Sequence, residues 1–330
     1  MSLFQTNAWQ KAWWAEWADT PGATLVSEGG NGRSGLYVHG YRHGLPVKTQ
    51  CMQYVGTSYR KFSAPRTEYN TLGHLNDLPA VLTELEQAQW TEAVFSDLKS
   101  ESEEQQMMQS WARKHGWLLR EIYQDVAYGI AATGAFEDYL GTLGKNTRLK
   151  LFNRRKMFES LGDVAEENFW PYRAKEFFEL LNGFHEVRWG SPCFSHRSVA
   201  FHLDFLGRAA ADEIHPLLMV LHIDQRPVSV LYNALFRGCV YNIQAGFDEN
   251  FHRKIALGTL HLGYSIESAI RDPSVQYFDL LAGEGKNTNY KVNLATDQES
   301  LVTFMIVRNR LFELLYRTKD AITRLKRKAR

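Results

Sequence analysis

The chain has 330 residues, 44% of them hydrophobic and 23% charged, with a formal net charge of +1. That is the composition of a globular protein long enough for two domains, because single cores stop growing at roughly 250–300 residues. No run of about 18 apolar residues occurs, so a spanning helix is not expected. The three scattered cysteines, Cys51, Cys193 and Cys239, argue against a disulfide framework or a zinc site and suit a reducing cytoplasm.

The charge is uneven. Arg317–Arg330 holds seven basic residues against Asp320, a balance of +6 that leaves −5 for the rest. The body is therefore not expected to bind DNA. The basic tail, 317–330, is a candidate for peripheral contact with anionic lipid.

Trp9, Trp13 and Trp17 recur at helical spacing and predict a first helix docked by its indoles. Short β-rich runs follow at 35–38, 46–54 and 60–62. Leu78 to Trp90 reads as an amphipathic helix with Pro79 in its first turn, 92–98 as a strand, 101–115 as a helix and 126–132 as a strand. The second half repeats this grammar. One helix is expected over 136–161, rich in Lys and Arg, and another over 173–187. A three-strand meander at 215–223, 227–236 and 239–245 is joined by tight turns at Asp224-Gln225-Arg226 and Arg237-Gly238. A polar loop, a helix over 257–271, strands at 275–281 and 301–307, and a C-terminal helix complete the chain. The fold class is α/β with mixed sheets, in two tandem units, 1–130 and 131–330.

Phe278-Asp279-Leu280-Leu281-Ala282-Gly283-Glu284, followed by Tyr290-Lys291, is a buried strand running into a glycine turn with a carboxylate, a phenol and an amine beyond it. Polar groups that converge past a strand end are where α/β proteins do chemistry. His196 and His202 lack the spacing of a helical metal pair, and no metal is expected.

The element order of the second half resembles that of the GNAT superfamily of acyl-CoA-dependent N-acyltransferases. Tyr139-Leu140, Arg148-Leu149 and Arg154-Arg155 resemble a helix of its FemAB-related, CelD-type acetyltransferases. His185…Arg188-Trp189 resembles that family's helix end, Gly246-Phe247-Asp248 its strand exit, and Phe278-Asp279…Gly283-Glu284…Tyr290-Lys291 its signature strand. Phe4-Gln5…Trp9 and Glu68-Tyr69-Asn70 extend the likeness to the first half. Two positions depart: Ala256-Leu257-Gly258 stands where the family has Ser-Pro-Gly, and residues 284–289 separate Tyr290-Lys291 from the glycine turn.

The resemblance implies two GNAT-like domains, the first degenerate and the second holding acetyl-CoA or another acyl-CoA. It also implies an amine acceptor such as an amino sugar or an envelope- or polysaccharide-linked amine. Acyl transfer needs a base for the amine, donors for the oxyanion, N–H groups for the pyrophosphate and an acid for the leaving thiolate. His185 is the natural base, with Glu284 exposed past the strand as another. Asp279 either orients the amine or makes a structural ion pair, and Tyr290 would protonate the thiolate. Gln244, Gly246, Arg253, Lys254 and Gly258 would hold the CoA, and Arg188, Trp189, Asn242 and Lys291 the acceptor. Two other functions fit the same residues: an aminoacyl-tRNA-dependent ligase of FemAB type, and a non-catalytic binding protein that retains the fold.

Overall fold

The computed structural model describes residues 1–42, 47–283 and 290–328, with the side chains of 323–328 left aside. Contacts divide the chain into one unit of Met1–Asp125 with Ser300–Arg330 and a second of Val126–Glu299.

The first unit opens with helix α1 (Asn7–Trp17), whose Thr6 side chain accepts the Trp9 N–H. Trp9, Trp13 and Trp17 are all buried, as the spacing predicts. Strands β1 (Ala23–Ser27), β2 (Leu36–Arg42) and β3 (Lys48–Tyr54) pair antiparallel. The strand expected at 60–62 does not form: Arg60 takes a left-handed φ of 69°, which breaks an extended run. Helix α2 (Leu78–Gln87) carries the chain across to β4 (Glu92–Lys99), which lies parallel to β3. Helix α3 (Glu103–Lys114) and β5 (Leu118–Ala131) follow, and β5 continues into the second unit.

In the second unit the single helix expected over 136–161 is broken into α4 (Phe136–Thr142), α5 (Lys145–Arg148), a π-helical stretch at Leu149–Asn153 and α6 (Arg155–Glu159). Leu143 and Gly144 are extended, and no helix continues through them. Strand β6 (Val164–Asn168) comes next, then helices α7 (Ala174–Trp189) and α8 (His196–Arg208). The meander is β7 (His215–Ile223), β8 (Arg226–Phe236) and β9 (Cys239–Phe247), with positive φ at Asp224-Gln225 and Arg237-Gly238 making the two expected tight turns. Helix α9 (Leu257–Arg271) leads to β10 (Tyr277–Ala282). The strand order is β5-β10-β9-β8-β7-β6, with β9 and β10 parallel. Phe278, Leu280 and Ile130 bury one face of this sheet against Leu262 and Ile266 of α9.

Strand β11 (Asp297–Val307) and helix α10 (Arg310–Lys328) take the chain back to the first unit, which the cut at 130/131 did not foresee. The cause is burial: Leu301, Val302 and Phe304–Val307 are all 2% exposed or less, and β11 pairs with β4 from Leu301↔Lys99 to Val307↔Glu92. β4 pairs the backbone of β11 along one edge, while Val302, Phe304 and Ile306 pack into one cluster of the first unit and Met305 and Val307 into another with Phe312 and Tyr316.

Candidate active site

Strands β9 and β10 run in register only from Tyr277↔Cys239 to Asp279↔Tyr241. Beyond that point β9 continues from Asn242 to Phe247 without β10 beside it. A bulge in the β8–β9 ladder, where Asn233 faces Asn242 but Tyr232 faces Gln244, re-aims the backbone at the same place. The polar groups of Ala245 are met by side chains rather than by a strand. Its N–H donates to Gln244 Oε1 at 3.0 Å, and its carbonyl accepts from His185 Nε2 at 2.9 Å.

His185 reaches this edge from the last turns of α7. Burial lowers its pKa first and the positive Arg188 lowers it further, against the opposing pull of the Ala245 carbonyl. The ring is therefore neutral at pH 7. Because Nε2 carries the proton, Nδ1 holds the lone pair that can accept another. Arg188 lies 3.3 Å from Glu249 and stacks 4.7 Å above the Phe247 ring and 5.3 Å from that of Trp189. Trp189 is 47% exposed at the helix end, and Gly190 closes the helix with a φ of 77°.

Partial burial raises the Tyr290 phenol, which stays 39% exposed, and the nearby Arg188 charge lowers it. Arg188 thus acts on both His185 and Tyr290 despite the residues that separate Tyr290 from the glycine turn. Glu284 lies outside the described residues.

The structure gives Asp279 and Lys291 other work than contact with an acceptor. Leu281 sits at a φ of 59° in a bulge of the β10–β5 ladder. Asp279, 4% exposed, accepts the Leu281 N–H at 2.7 Å. Lys291 is 9% exposed and donates to the Leu281 and Ala282 carbonyls at 3.0 and 2.9 Å. Together they hold β10 where it departs from β9. Asn242 is likewise buried: it donates to Asn233, which donates to Ser265 of α9, so it ties the bulge to the helix.

Helix α9 is preceded by Ala256, which offers no side-chain cap, and its first turn holds no acid. Its leading N–H groups suit an anion. The loop before it is ordered by its own side chains, with Asp248 accepting from Asn250 and His252 Nδ1 accepting from Lys254. Arg253 and Lys254 are exposed beside the helix start. Gly258 is required by packing: a Cβ there would come within 2.4 Å of the Phe247 ring. Gly246 serves α7 in the same way, its missing Cβ leaving room for Leu181 and Phe184.

One group escaped sequence reasoning because its members lie 32 to 95 positions apart. His261 of α9, fully buried, stands 2.8 Å from Ser229 Oγ through Nδ1 and 3.0 Å from Glu166 through Nε2. Burial lowers its pKa, and a neutral ring accepts from Ser229 and donates to Glu166. The arrangement is that of a hydrolytic triad, but Ser229 is fully buried and meets no substrate. It pins α9 across β6 and β8.

Residues 145–292 match the family model described as Acetyltransferase (GNAT) domain. A search of curated protein sequences finds no match. Among solved structures, FemX superposes with a TM-score of 0.61 at 11% identity, over 95% of this chain and 94% of FemX. L-PGS from Bacillus licheniformis gives 0.51 at 12% identity, over 96% and 95% of the two chains. A conserved protein from Bacteroides thetaiotaomicron gives 0.52 at 12% identity, over 92% and 90%. At such identities the likeness is one of fold: two tandem GNAT-like units. Residues 145–292 of the second unit thus match a GNAT acetyltransferase domain, and the chain as a whole shares the fold of FemX and L-PGS.

Proposed function

We propose that the protein is an N-acyltransferase that moves an acetyl or other acyl group from acyl-CoA to an amine. The observation that carries this reading is the end of β9–β10 pairing at Tyr241/Asp279, which leaves the Ala245 peptide edge to side chains. An extended pantetheine arm can pair with that edge in place of Gln244, while its pyrophosphate meets the uncapped start of α9 near Arg253 and Lys254.

The chemistry follows from the protonation states. The neutral amine attacks the thioester carbonyl, forming the new C–N bond and an oxyanion held by backbone N–H groups of β9. His185 Nδ1 takes the proton lost by the attacking nitrogen. Collapse breaks the C–S bond, and Tyr290, a phenol still protonated at pH 7, gives its proton to the thiolate. The products are an amide and CoA thiol. Trp189 and Tyr290, exposed around Arg188, suit an acceptor with a sugar ring and a nearby anion, as in an amino sugar or an envelope- or polysaccharide-linked amine. Acyl-CoA as donor and three cysteines outside any disulfide suit the cytoplasm.

Ligand-induced thermal shift tests the donor with acetyl-CoA, longer acyl-CoAs and aminoacyl-tRNA, since stabilisation grows with the ratio of ligand to its dissociation constant. A shift with acyl-CoA alone is expected, followed by thiol release with one class in a panel of amines. A shift with charged tRNA alone would reassign the donor, and no shift with any of them would leave a binding protein of GNAT fold.

A further inference from the structure

Helix α10 has two apolar faces. Phe312 and Tyr316 are buried against the first unit, and Arg120 holds the helix there through a bidentate pair with Asp320 at 2.6 and 2.8 Å. On another side Leu311, Leu314, Leu315 and Ile322 are 47, 63, 40 and 48% exposed. Their spacing of three, four and seven residues puts them, with Thr318, in one stripe along the helix. A single exposed leucine needs no explanation, but four in a row along one helix do. Arg310 and Arg317, 80 and 62% exposed, lie along one border of the stripe, where they share the single carboxylate of Glu313 at 3.1 and 3.0 Å and keep a net positive charge, and Lys319 lies along the other by helical spacing. The sequence from Arg317 onward carries +6 in a chain of net +1.

We propose that α10 is a docking surface for an anionic lipid bilayer, lying in the plane of the headgroups with the Leu311–Ile322 stripe sunk into the acyl boundary. Charge complementarity selects this occupant. An apolar stripe bordered by cations on both sides is the pattern of an interfacial helix, whose leucines enter the bilayer while its arginines and lysines meet phosphate. A second copy of the chain would bring the same cations against themselves. Among the described residues no helix is long and apolar enough to cross a membrane, so the contact is one of lying on the surface. The inner face, fixed by Phe312, Tyr316 and Asp320, means that docking needs no unfolding of the unit.

The test is co-sedimentation of the full chain with sucrose-loaded vesicles of phosphatidylcholine alone or mixed equally with phosphatidylglycerol. Binding is expected only to the mixed vesicles and should weaken as salt shortens the reach of the charges. Leu314→Asp should lower the partition about tenfold or more with circular dichroism and melting unchanged, because Leu314 contributes little to the fold. Leu311→Asp should do the same. Binding that survives both substitutions would mean that the charged tail acts without the stripe and would overturn the proposal. So would a failure of the native chain to sediment with the mixed vesicles. A dimer in light scattering that Leu314→Asp disperses, without vesicle binding, would assign the stripe to a second copy.

Discussion

The Nε2 proton of His185 is committed to the carbonyl of Ala245, 2.9 Å away, so any proton the ring accepts must arrive at Nδ1. One hydrogen bond thus fixes the tautomer, aims the basic nitrogen and ties the end of α7 to the half of β9 that β10 leaves. Glutamine at this position keeps a donor for Ala245 but removes the base. His185→Gln is expected to lower kcat/KM by about 10²–10⁴-fold while acetyl-CoA still stabilises the protein. The native rate should rise with pH through the His185 pKa, which lies below 6.5 because burial and Arg188 depress it, and the variant should lose that acid limb. A variant with native kcat/KM would remove His185 from the chemistry.

Lys291 separates positioning from binding. Its ammonium satisfies the Leu281 and Ala282 carbonyls of the β10 bulge. Lys291→Met leaves both without that donor and should cost about 2–3 kcal/mol in urea unfolding, with kcat reduced because β10 no longer leaves β9 at a fixed point. If Lys291 instead gripped an anionic acceptor, stability would hold and only the acceptor KM would rise.

Much of this could be read from the residues. The meander, the bounds of α9 at Leu257 and Arg271 and the docking of the three tryptophans follow from periodicity and turn chemistry, which are local. The break at Leu143-Gly144 escaped because the hydrophobic spacing of the flanking helices continues through two extended residues. Helix α8 escaped too, as did the short edge strand β6, four of whose five residues are exposed and lack an apolar alternation. At the site, residue type marks the polar groups in and beyond β10 but does not show which of them face inward. Asp279 and Lys291 are consumed by a bulge that only the pairing register reveals, and Asn242 by a partner across the sheet.

Gly258 tests whether the start of α9 must lie against Phe247. A Cβ there meets the ring at 2.4 Å, so either the ring or the helix must shift. Gly258→Ala should cost about 1–3 kcal/mol and weaken acetyl-CoA binding, because the leading N–H groups of α9 move with the helix. Phe247→Leu in the same chain should restore part of both. Phe247 also lies beneath Arg188, so the single Phe247→Leu change provides the reference for a double-mutant cycle. A purely additive pair would show that the two positions do not press on one another.

The histidines predict how the protein meets acid. His202 of α8 is fully buried in an aromatic cluster with Phe178, Phe194 and Tyr232, and burial lowers its pKa to about 3. In the unfolded chain it titrates near 6.5, so between these values the unfolded state binds the extra proton. Stability is complete above about pH 6.5 and falls as pH drops toward 3, at about 1.4 kcal/mol per pH unit for one such group. His185 and His261 are lowered too and act in the same direction. Urea unfolding at pH 7 and pH 4.5 should therefore differ by about 3 kcal/mol from His202 alone. His202→Gln, which cannot be protonated in this range, should lose about that much of the difference, and a variant with the native pH dependence would show that carboxylates elsewhere set the acid limit.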